Sequence, residues 1–575
     1  MKLRELFILR DIRALVLNLT FALMFCSVMF LTYRGFVEAE IISKWYAFIG
    51  GSILFSFVVL VLGRQRHITI DWVSILIFTF IGYLFVRIFV IELPQPNILV
   101  LLLAAFIILY FSFKQLSRGL EAYNPDILIV GVCLAQAIYG LMQYFDVTYI
   151  SRGFGITGCF DNPAGFAASL AAGVPYCFSV LQKRERLRYF GLSAFIIIAL
   201  AVILSESRTG VLAITVVTSV YLGNKYYSLF KQYRKALLLV LGVVFIALFI
   251  GLFFLKKNSA IGRMLIWETS LQMIVDRPLF GLGTSGFMSE YMLYQADYFT
   301  ENTDSPYALL ADNVTHPFNE YLLVVIEYGV IGLLFVFTIL VLLIKFSQQI
   351  TIPHLCILAI AILACFSYPL RYPAVVILLA YSLANIKIEQ RNEFKFNRVL
   401  KLSWCCLLGG ICIFLIRDIR FEIQWGKLAL YREYLESDTI SESYADLYVR
   451  WNGDPMFLYN YGAVLNHLGN YSRSNEIMFR CIKYFNDYDV QRLIADNYDN
   501  MKKCEQAEEH YLIANKMIPS RFMPLYRLLK LYDKNGKTND ALYMAKTIVD
   551  MPIKVQSGTV HKIKTEAHAF LSKAR

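Results

Sequence analysis

Three side chains stand out for what they could do chemically: Arg208, Arg263 and His316. An arginine is a planar, permanently charged fork that binds phosphate or carboxylate oxygens in pairs. A histidine is the usual general base near neutral pH. Two such cations and one such base, brought together, would hold an anionic substrate and take a proton from a hydroxyl. Arg208 lies in Ser205-Glu206-Ser207-Arg208-Thr209-Gly210, between two apolar blocks, where Gly210 would let the backbone approach a ligand closely. Arg263 falls on a predicted amphipathic helix from about 262 to 276, along one face with Trp267, Ser270 and Ile274, lying on a membrane surface. His316 precedes Pro317, which suits the first turn of the next apolar block, so His316 is expected at or near an N-cap. The helix N-terminus would then attract an anion and lower the imidazole pKa. Each residue also has a plainer reading: Arg208 snorkelling to headgroups, Arg263 paired with Glu268 or headgroups, His316 merely capping.

Other polar residues are candidates for support. Glu327 lies roughly 14 Å into its apolar block at 1.5 Å per residue, where a carboxylate is costly unless paired or hydrated. It would position an arginine or line a substrate cavity. Glu206 could orient Arg208, and Arg277 precedes a proline at a helix end. The eleven cysteines have no CxxC or zinc-ligand spacing, and no cofactor is expected. Eight of them fall inside apolar blocks. Cys159, Cys481 and Cys504 would face the outer compartment, with a Cys481–Cys504 disulfide left open.

These residues must be positioned by membrane helices. The chain has 575 residues, 58% hydrophobic and 17% charged, with mean hydropathy +0.54. A soluble domain is nearer half apolar and a quarter charged. The apolar residues come in blocks of about 18–22, the length that crosses roughly 30 Å of hydrocarbon. Blocks near 14–32, 45–63, 70–91, 96–113, 126–145, 163–182, 189–204, 210–223, 236–255, 318–344, 354–369, 372–386 and 399–416 predict an all-α polytopic protein of about thirteen transmembrane helices. Arg87, near one end of the third, is expected to snorkel. The first block lacks a cleavage site and is expected to be a permanent anchor. Lys and Arg recur in alternate connectors, from Lys2, Arg4, Arg10 and Arg13 to Lys387, Arg391, Lys395, Arg398 and Lys401. That alternation puts the N-terminus in the cytoplasm, and the 256–317 loop and everything after 416 outside. The net charge of +12 is then a topology signal that needs no nucleic-acid partner.

After 416 the composition turns polar and a period of about 34 residues appears. Segments 455–487, 488–521 and 522–555 align, with small residues at Ser474, Ala507 and Ala541 and turn glycines at Gly469 and Gly536. The pattern resembles the tetratricopeptide repeat. It divides the chain into a membrane domain, 1–416, and a helical-repeat domain, 417–575, whose stacked hairpins would offer a surface to a protein partner. Removing the repeats is expected to leave the membrane domain folded.

Ordered motifs within 150–340 resemble the O-antigen ligase and O-antigen polymerase superfamily, which includes bacterial protein O-oligosaccharyltransferases. They are the Gly-rich stretch through Asn162-Pro163, the Ser-Arg-Thr-Gly turn, Arg263 with Trp267, and Asp276, Pro278, Leu279, Phe280, Gly281, Gly283 and Phe287. His316, Glu327, Gly329, Gly332 and Leu333 complete the series. Pro163-Ala164 and Pro317 depart from the family's usual residues. The resemblance implies a GT-C-type glycosyltransferase in the bacterial inner membrane. It would move a glycan from undecaprenyl diphosphate to an acceptor hydroxyl on the periplasmic face, with inversion and without a metal. Lipid A–core is the favoured acceptor, with a protein hydroxyl or a growing glycan as alternatives. It further implies Arg208 and Arg263 as donor-phosphate ligands, His316 as base or phosphate ligand, and Asn162 as a supporting residue. A polyprenyl-glycan transporter is the competing class, but transporters place polar, broken helices at the midplane, and here the unusual residues gather at one face.

Overall fold

The computed structural model describes residues 2–63, 67–91, 97–117, 123–148, 155–183, 185–226, 251, 257–347, 349–388, 391–395, 397–430 and 437–574. The apolar blocks form α1 (Lys2–Phe30), α2 (Ala39–Leu62), α3 (Trp72–Val86, continued by wider turns over Arg87–Ile91), α4 (Asn97–Leu116), α5 (Asp126–Tyr144), α6 (Pro163–Leu181), α7 (Glu185–Leu204) and α8 (Arg208–Lys225). The long loop contributes α9 (Lys257–Asp276) and α10 (Gly286–Glu301). Then come α11 (Glu320–Lys345), α12 (Ile352–Phe366), α13 (Pro373–Asn385) and α14 (Arg398–Leu430). Among the described residues nine helices, α1 to α7, α11 and α14, are long and apolar enough to cross a membrane. α12 and α13 are apolar but shorter, at 15 and 13 residues. Apart from residue 251, the block expected at 236–255 lies outside the described residues.

α6 is the centre of the bundle. Of its apolar window, 83% is buried, against 17–50% for the other eight, so protein surrounds it while its neighbours meet lipid. Its small residues make this possible, because without side chains in the way helices approach closely. A Cβ on Gly173 would lie 2.6 Å from Cys133 Sγ of α5. A Cβ on Gly210 of α8 would lie 2.9 Å from Ala167 Cβ of α6. Gly210 therefore serves helix packing, which leaves less room for the ligand approach expected of it.

Polar side chains tie the helices at the end away from Arg208 and His316. Lys114 pairs with Asp71, both buried, and Ser74 Oγ also donates to Asp71. Asp126 accepts from Ser179 and from Tyr381. There too a small antiparallel sheet, not expected from the sequence, pairs His67–Asp71 with Arg391–Lys395. Arg87 is buried and donates through Nη1 to Phe280 O at 2.7 Å, so it binds protein where snorkelling to lipid was expected.

Beyond the bundle lie α15 (Ser437–Trp451), α16 (Pro455–His467), α17 (Tyr471–Cys481), α18 (Tyr488–Asn500), α19 (Cys504–Met517), α20 (Phe522–Lys534), α21 (Thr538–Asp550) and α22 (Gly558–Ala574). Hairpins α16–α17, α18–α19 and α20–α21 turn at equivalent left-handed positions: Gly469 at φ 78°, Lys502 at φ 60° and Gly536 at φ 70°. Ser474, Ala507 and Ala541 are fully buried where paired helices touch. All eleven cysteines are free.

The helical bundle and the hairpins are joined firmly. α14 runs through residue 416 without a break, and its Phe421 and Trp425 share a core with Ile440, Tyr444 and Phe457 of the first repeat helices. Gly426 lies against Gly35 O, so α14 also seats on the loop between α1 and α2. Further along, Phe287, Tyr291 and Met292 of α10 form one apolar cluster with Tyr488, Ala514, Met517 and Ile518. Gln295 Nε2 donates to Met517 O at 2.6 Å, and Asn486 N to Met288 O at 3.0 Å. This shared core argues against the expectation that the repeats can be removed cleanly: their loss would bare the apolar face of α10 to water.

Candidate active site

The site is assembled where α6, α8, α11 and α13 begin and α12 ends. Asn162 caps α6, its Oδ1 accepting from Gly165 N at 3.0 Å. The same oxygen accepts from Tyr372 Oη at 3.1 Å, and Asn162 Nδ2 donates to Tyr368 Oη at 3.3 Å and to Asp161 Oδ2 at 2.8 Å. Gly165 is required beneath Tyr372, since a Cβ there would lie 2.2 Å from the ring. Asn162 thus anchors two tyrosines of the connector between α12 and α13.

His316 packs on one of them, its ring centroid 5.2 Å from that of Tyr368. His316 Nδ1 is sealed from solvent with no hydrogen-bond partner among the described residues. Burial, with a smaller push from the Arg371 guanidinium, lowers the imidazole pKa from 6.5 to about 3. The expected capping role is corrected. Asn319 caps α11, its Oδ1 accepting from Leu322 N at 3.0 Å, and Pro317 stands outside the helix. Phe318, at φ 53°, makes the turn between them.

Arg263 reaches the same place from α9. Its guanidinium lies 4.9 Å from the Phe318 ring centroid and donates through Nη1 to Phe366 O at 2.8 Å, at the end of α12. Its partners are therefore these groups, where Glu268 was the plainer expectation. Trp267, one turn along α9, donates to Pro317 O at 2.9 Å and fixes α9 against the His316 loop. Burial, then the nearby positive charge of Arg208, lowers the Arg263 pKa to about 10. Arg208 opens α8 and donates to Ser259 Oγ of α9 at 3.2 Å. Arg208, Arg263, His316 and Asn162 thus form one chain of neighbours through Ser259, Phe318 and Tyr368.

Glu206 is exposed at φ 55° in the turn before Arg208. Arg277 is exposed at the far end of α9, roughly 21 Å from Arg263 at 1.5 Å per residue, so the structure does not bring it to the cluster. Glu327 sits in α11 at a backbone clasp. Leu282 N donates to Ile326 O at 2.7 Å, Gly283 N to Glu327 O at 2.9 Å, and Val330 N to Pro278 O at 2.9 Å. α11 breaks at Gly329, φ 69°, where a Cβ would lie 2.0 Å from Leu279 O. A Cβ on Gly281, at φ 68°, would lie 2.5 Å from the Glu327 carbonyl carbon. The motif glycines therefore serve close backbone packing.

Two features escaped the sequence reading. Arg371 lies in the short turn Pro369–Arg371, between Tyr368 and Tyr372, within electrostatic reach of His316. An apolar cavity of about 380 Å³ runs between α2, α3, α4, α11, α12 and α13, lined by Trp45, Phe48, Phe80, Phe106, Leu340 and Leu383 among others. Leu370, in the turn next to Arg371, lines it too, and its N–H donates to Glu320 Oε1 at 3.0 Å.

Residues 164–337 match the family model described as O-antigen ligase. That segment holds Arg208, Arg263, His316, Glu327 and both sides of the clasp. It leaves out Asn162, Arg371 and every repeat helix. No curated protein matches the chain.

Proposed function

We propose, for a chain that belongs to the O-antigen ligase superfamily through residues 164–337, that the Arg208–Arg263–His316 cluster transfers a glycan from undecaprenyl diphosphate to an acceptor hydroxyl at the periplasmic face of the inner membrane. The observation that carries this reading is the gathering of two guanidiniums and a neutral imidazole beside an apolar cavity at one end of the bundle. Breaking a sugar–diphosphate bond leaves charge on phosphate oxygens, and preorganised cations at that position lower the barrier. Arg208 and Arg263 take the diphosphate. His316 accepts the proton of the acceptor hydroxyl, which attacks the anomeric carbon opposite the leaving group and inverts it. The apolar cavity takes the first isoprene units of the lipid carrier.

Lipid A–core is the acceptor we place first. A protein acceptor is the second reading, and it draws support from the core shared by α10 and the helical hairpins, which lies on the loop that also carries Arg263. A deletion strain separates the two. Loss of long-chain lipopolysaccharide with intact glycoproteins supports the ligase; the reverse supports protein glycosylation. If both glycan classes survive unchanged in the deletion strain, the proposed transfer is wrong.

A further inference from the structure

We propose that Arg371 is a third ligand of the diphosphate, one that acts on the charge created as the sugar–phosphate bond breaks. The inference rests on the glycosyl-transfer reading above and adds a residue outside the segment matched by the family.

The placement of Arg371 is built from several sides. Its turn is held by Leu370 N donating to Glu320 Oε1 and by Arg371 N donating to Tyr368 O at 3.2 Å. Both flanking tyrosines are tied to Asn162. Tyr368 lies against His316 and Phe318, and Phe318 carries the Arg263 guanidinium on its ring. The Tyr368 hydroxyl is within electrostatic reach of both Arg371 and Arg263, and Arg263 of Arg208. Two guanidiniums, Arg263 and Arg371, therefore flank one aromatic platform, with Arg208 next to Arg263, and the Asp161 carboxylate facing that platform accepts from Asn162. Arg371 is half-buried, and its side chain makes no hydrogen bond or ion pair among the described residues. A guanidinium so placed, with its donors unused, is poised for an anionic ligand.

Charge balance gives the third cation a purpose. The acceptor oxygen bonds to the anomeric carbon, the carbon–oxygen bond to phosphate breaks with its electron pair going to the diphosphate, and the acceptor proton goes to His316. A diphosphate joined to both sugar and lipid carries two negative charges; once the sugar has left it carries three. Two guanidiniums match the bound donor, and a third is matched only as the leaving group forms. An interaction stronger in the transition state than in the ground state raises turnover more than it tightens binding.

The test uses the full chain in proteoliposomes with an undecaprenyl-diphosphate-linked glycan and its acceptor, comparing Arg371→Gln, Arg371→Lys, Arg208→Gln and Arg263→Gln. Arg371→Gln is expected to lower kcat at least about tenfold with the donor KM within about threefold of the parent. Arg371→Lys should recover part of kcat, which a purely structural role would not predict. If Arg371→Gln accumulates poorly, Arg371→Met of similar length takes its place, and parental kcat in that folded, uncharged variant overturns the inference. Unchanged kcat in Arg371→Gln while Arg208→Gln and Arg263→Gln are impaired overturns the inference and leaves the parent reading standing. Full activity in all four variants overturns the parent reading itself.

Discussion

An ordinary histidine base would make glycan transfer fail in mild acid, and His316 should not. With an unperturbed pKa near 6.5, roughly 3% of an imidazole is neutral at pH 5, and a rate that needs the neutral form falls roughly 25-fold from pH 7. Burial, aided by Arg371, brings His316 to about 3. About 99% is then neutral at pH 5, and even a value one unit higher leaves roughly nine-tenths. The donor diphosphate keeps its charge over this range, so kcat/KM measured from pH 7 to pH 5 should stay within about twofold. Protein stability has its own sign. The folded pKa lies below the unfolded one, so the unfolded chain binds the extra proton, and stability falls as pH drops from about 6.5 toward about 3. His316→Gln should lose that acid-sensitive component of melting and, if His316 is the base, also lose about 10²-fold or more in transfer. A wild-type kcat/KM that drops roughly 25-fold along a pKa near 6.5 would show that His316 is not buried as described, or that another group is the base.

Four further outcomes are expected. Arg208→Lys keeps the charge but loses the fork and should cut transfer by about tenfold in membranes where the variant accumulates normally; parental rates would remove the bidentate role. Gly329→Ala places a Cβ 2.0 Å from Leu279 O at φ 69°, so thermal unfolding in detergent should show a loss of at least about 2 kcal/mol, and an unchanged melting temperature would refute the clasp. Lys502→Gly relieves a side chain at φ 60° and should stabilise the repeats by about 1 kcal/mol, read by denaturant unfolding. Truncation after residue 430 exposes Phe287, Tyr291 and Met292, so the shortened chain should aggregate or melt earlier than the full one; identical melting would mean the shared core contributes nothing.

Residue type and spacing made much of this legible. Apolar blocks of membrane length marked the helices, and a 34-residue period with glycines at 469 and 536 marked the hairpins. Arg208, Arg263 and His316 drew notice because charge and imidazole are conspicuous beside apolar runs. Arg371 is as conspicuous chemically but sits in a connector a few residues long. Its meaning depends on Tyr368 meeting His316, a packing contact between residues more than fifty apart that no local pattern encodes. Gly281 and Gly329 were visible as motif residues, yet nothing in a one-dimensional pattern shows that their missing side chains admit each other's backbone. Arg87 near a helix end read as a snorkelling residue because length alone shows depth and not which neighbour lies alongside. His316 read as a cap because Pro317 commonly opens helices, but Asn319 offers the better acceptor and moves the helix start. Phe287, Tyr291 and Met292 lie in a loop of mixed composition, where a docking face is indistinguishable from scattered apolar residues until its partner is seen.

The unbroken α14 has a mechanical consequence. At 1.5 Å per residue its 33 residues measure about 50 Å, while the hydrocarbon is about 30 Å thick, so roughly 20 Å of rigid rod stands clear of it. That rod is one leg of the repeat domain, and the α10 contact is the other. A body held at two separated points neither swings nor bobs, and its standoff from the bilayer is set by a residue count. Inserting four residues between 417 and 420 would lengthen one leg by about 6 Å and turn its top by roughly 40°, while the other leg keeps its old height. The domain would have to tilt, strain the rod or let go of α10. The chain therefore carries its own ruler, and the distance that ruler measures is the height of the hairpins above the cluster of Arg208, Arg263 and His316.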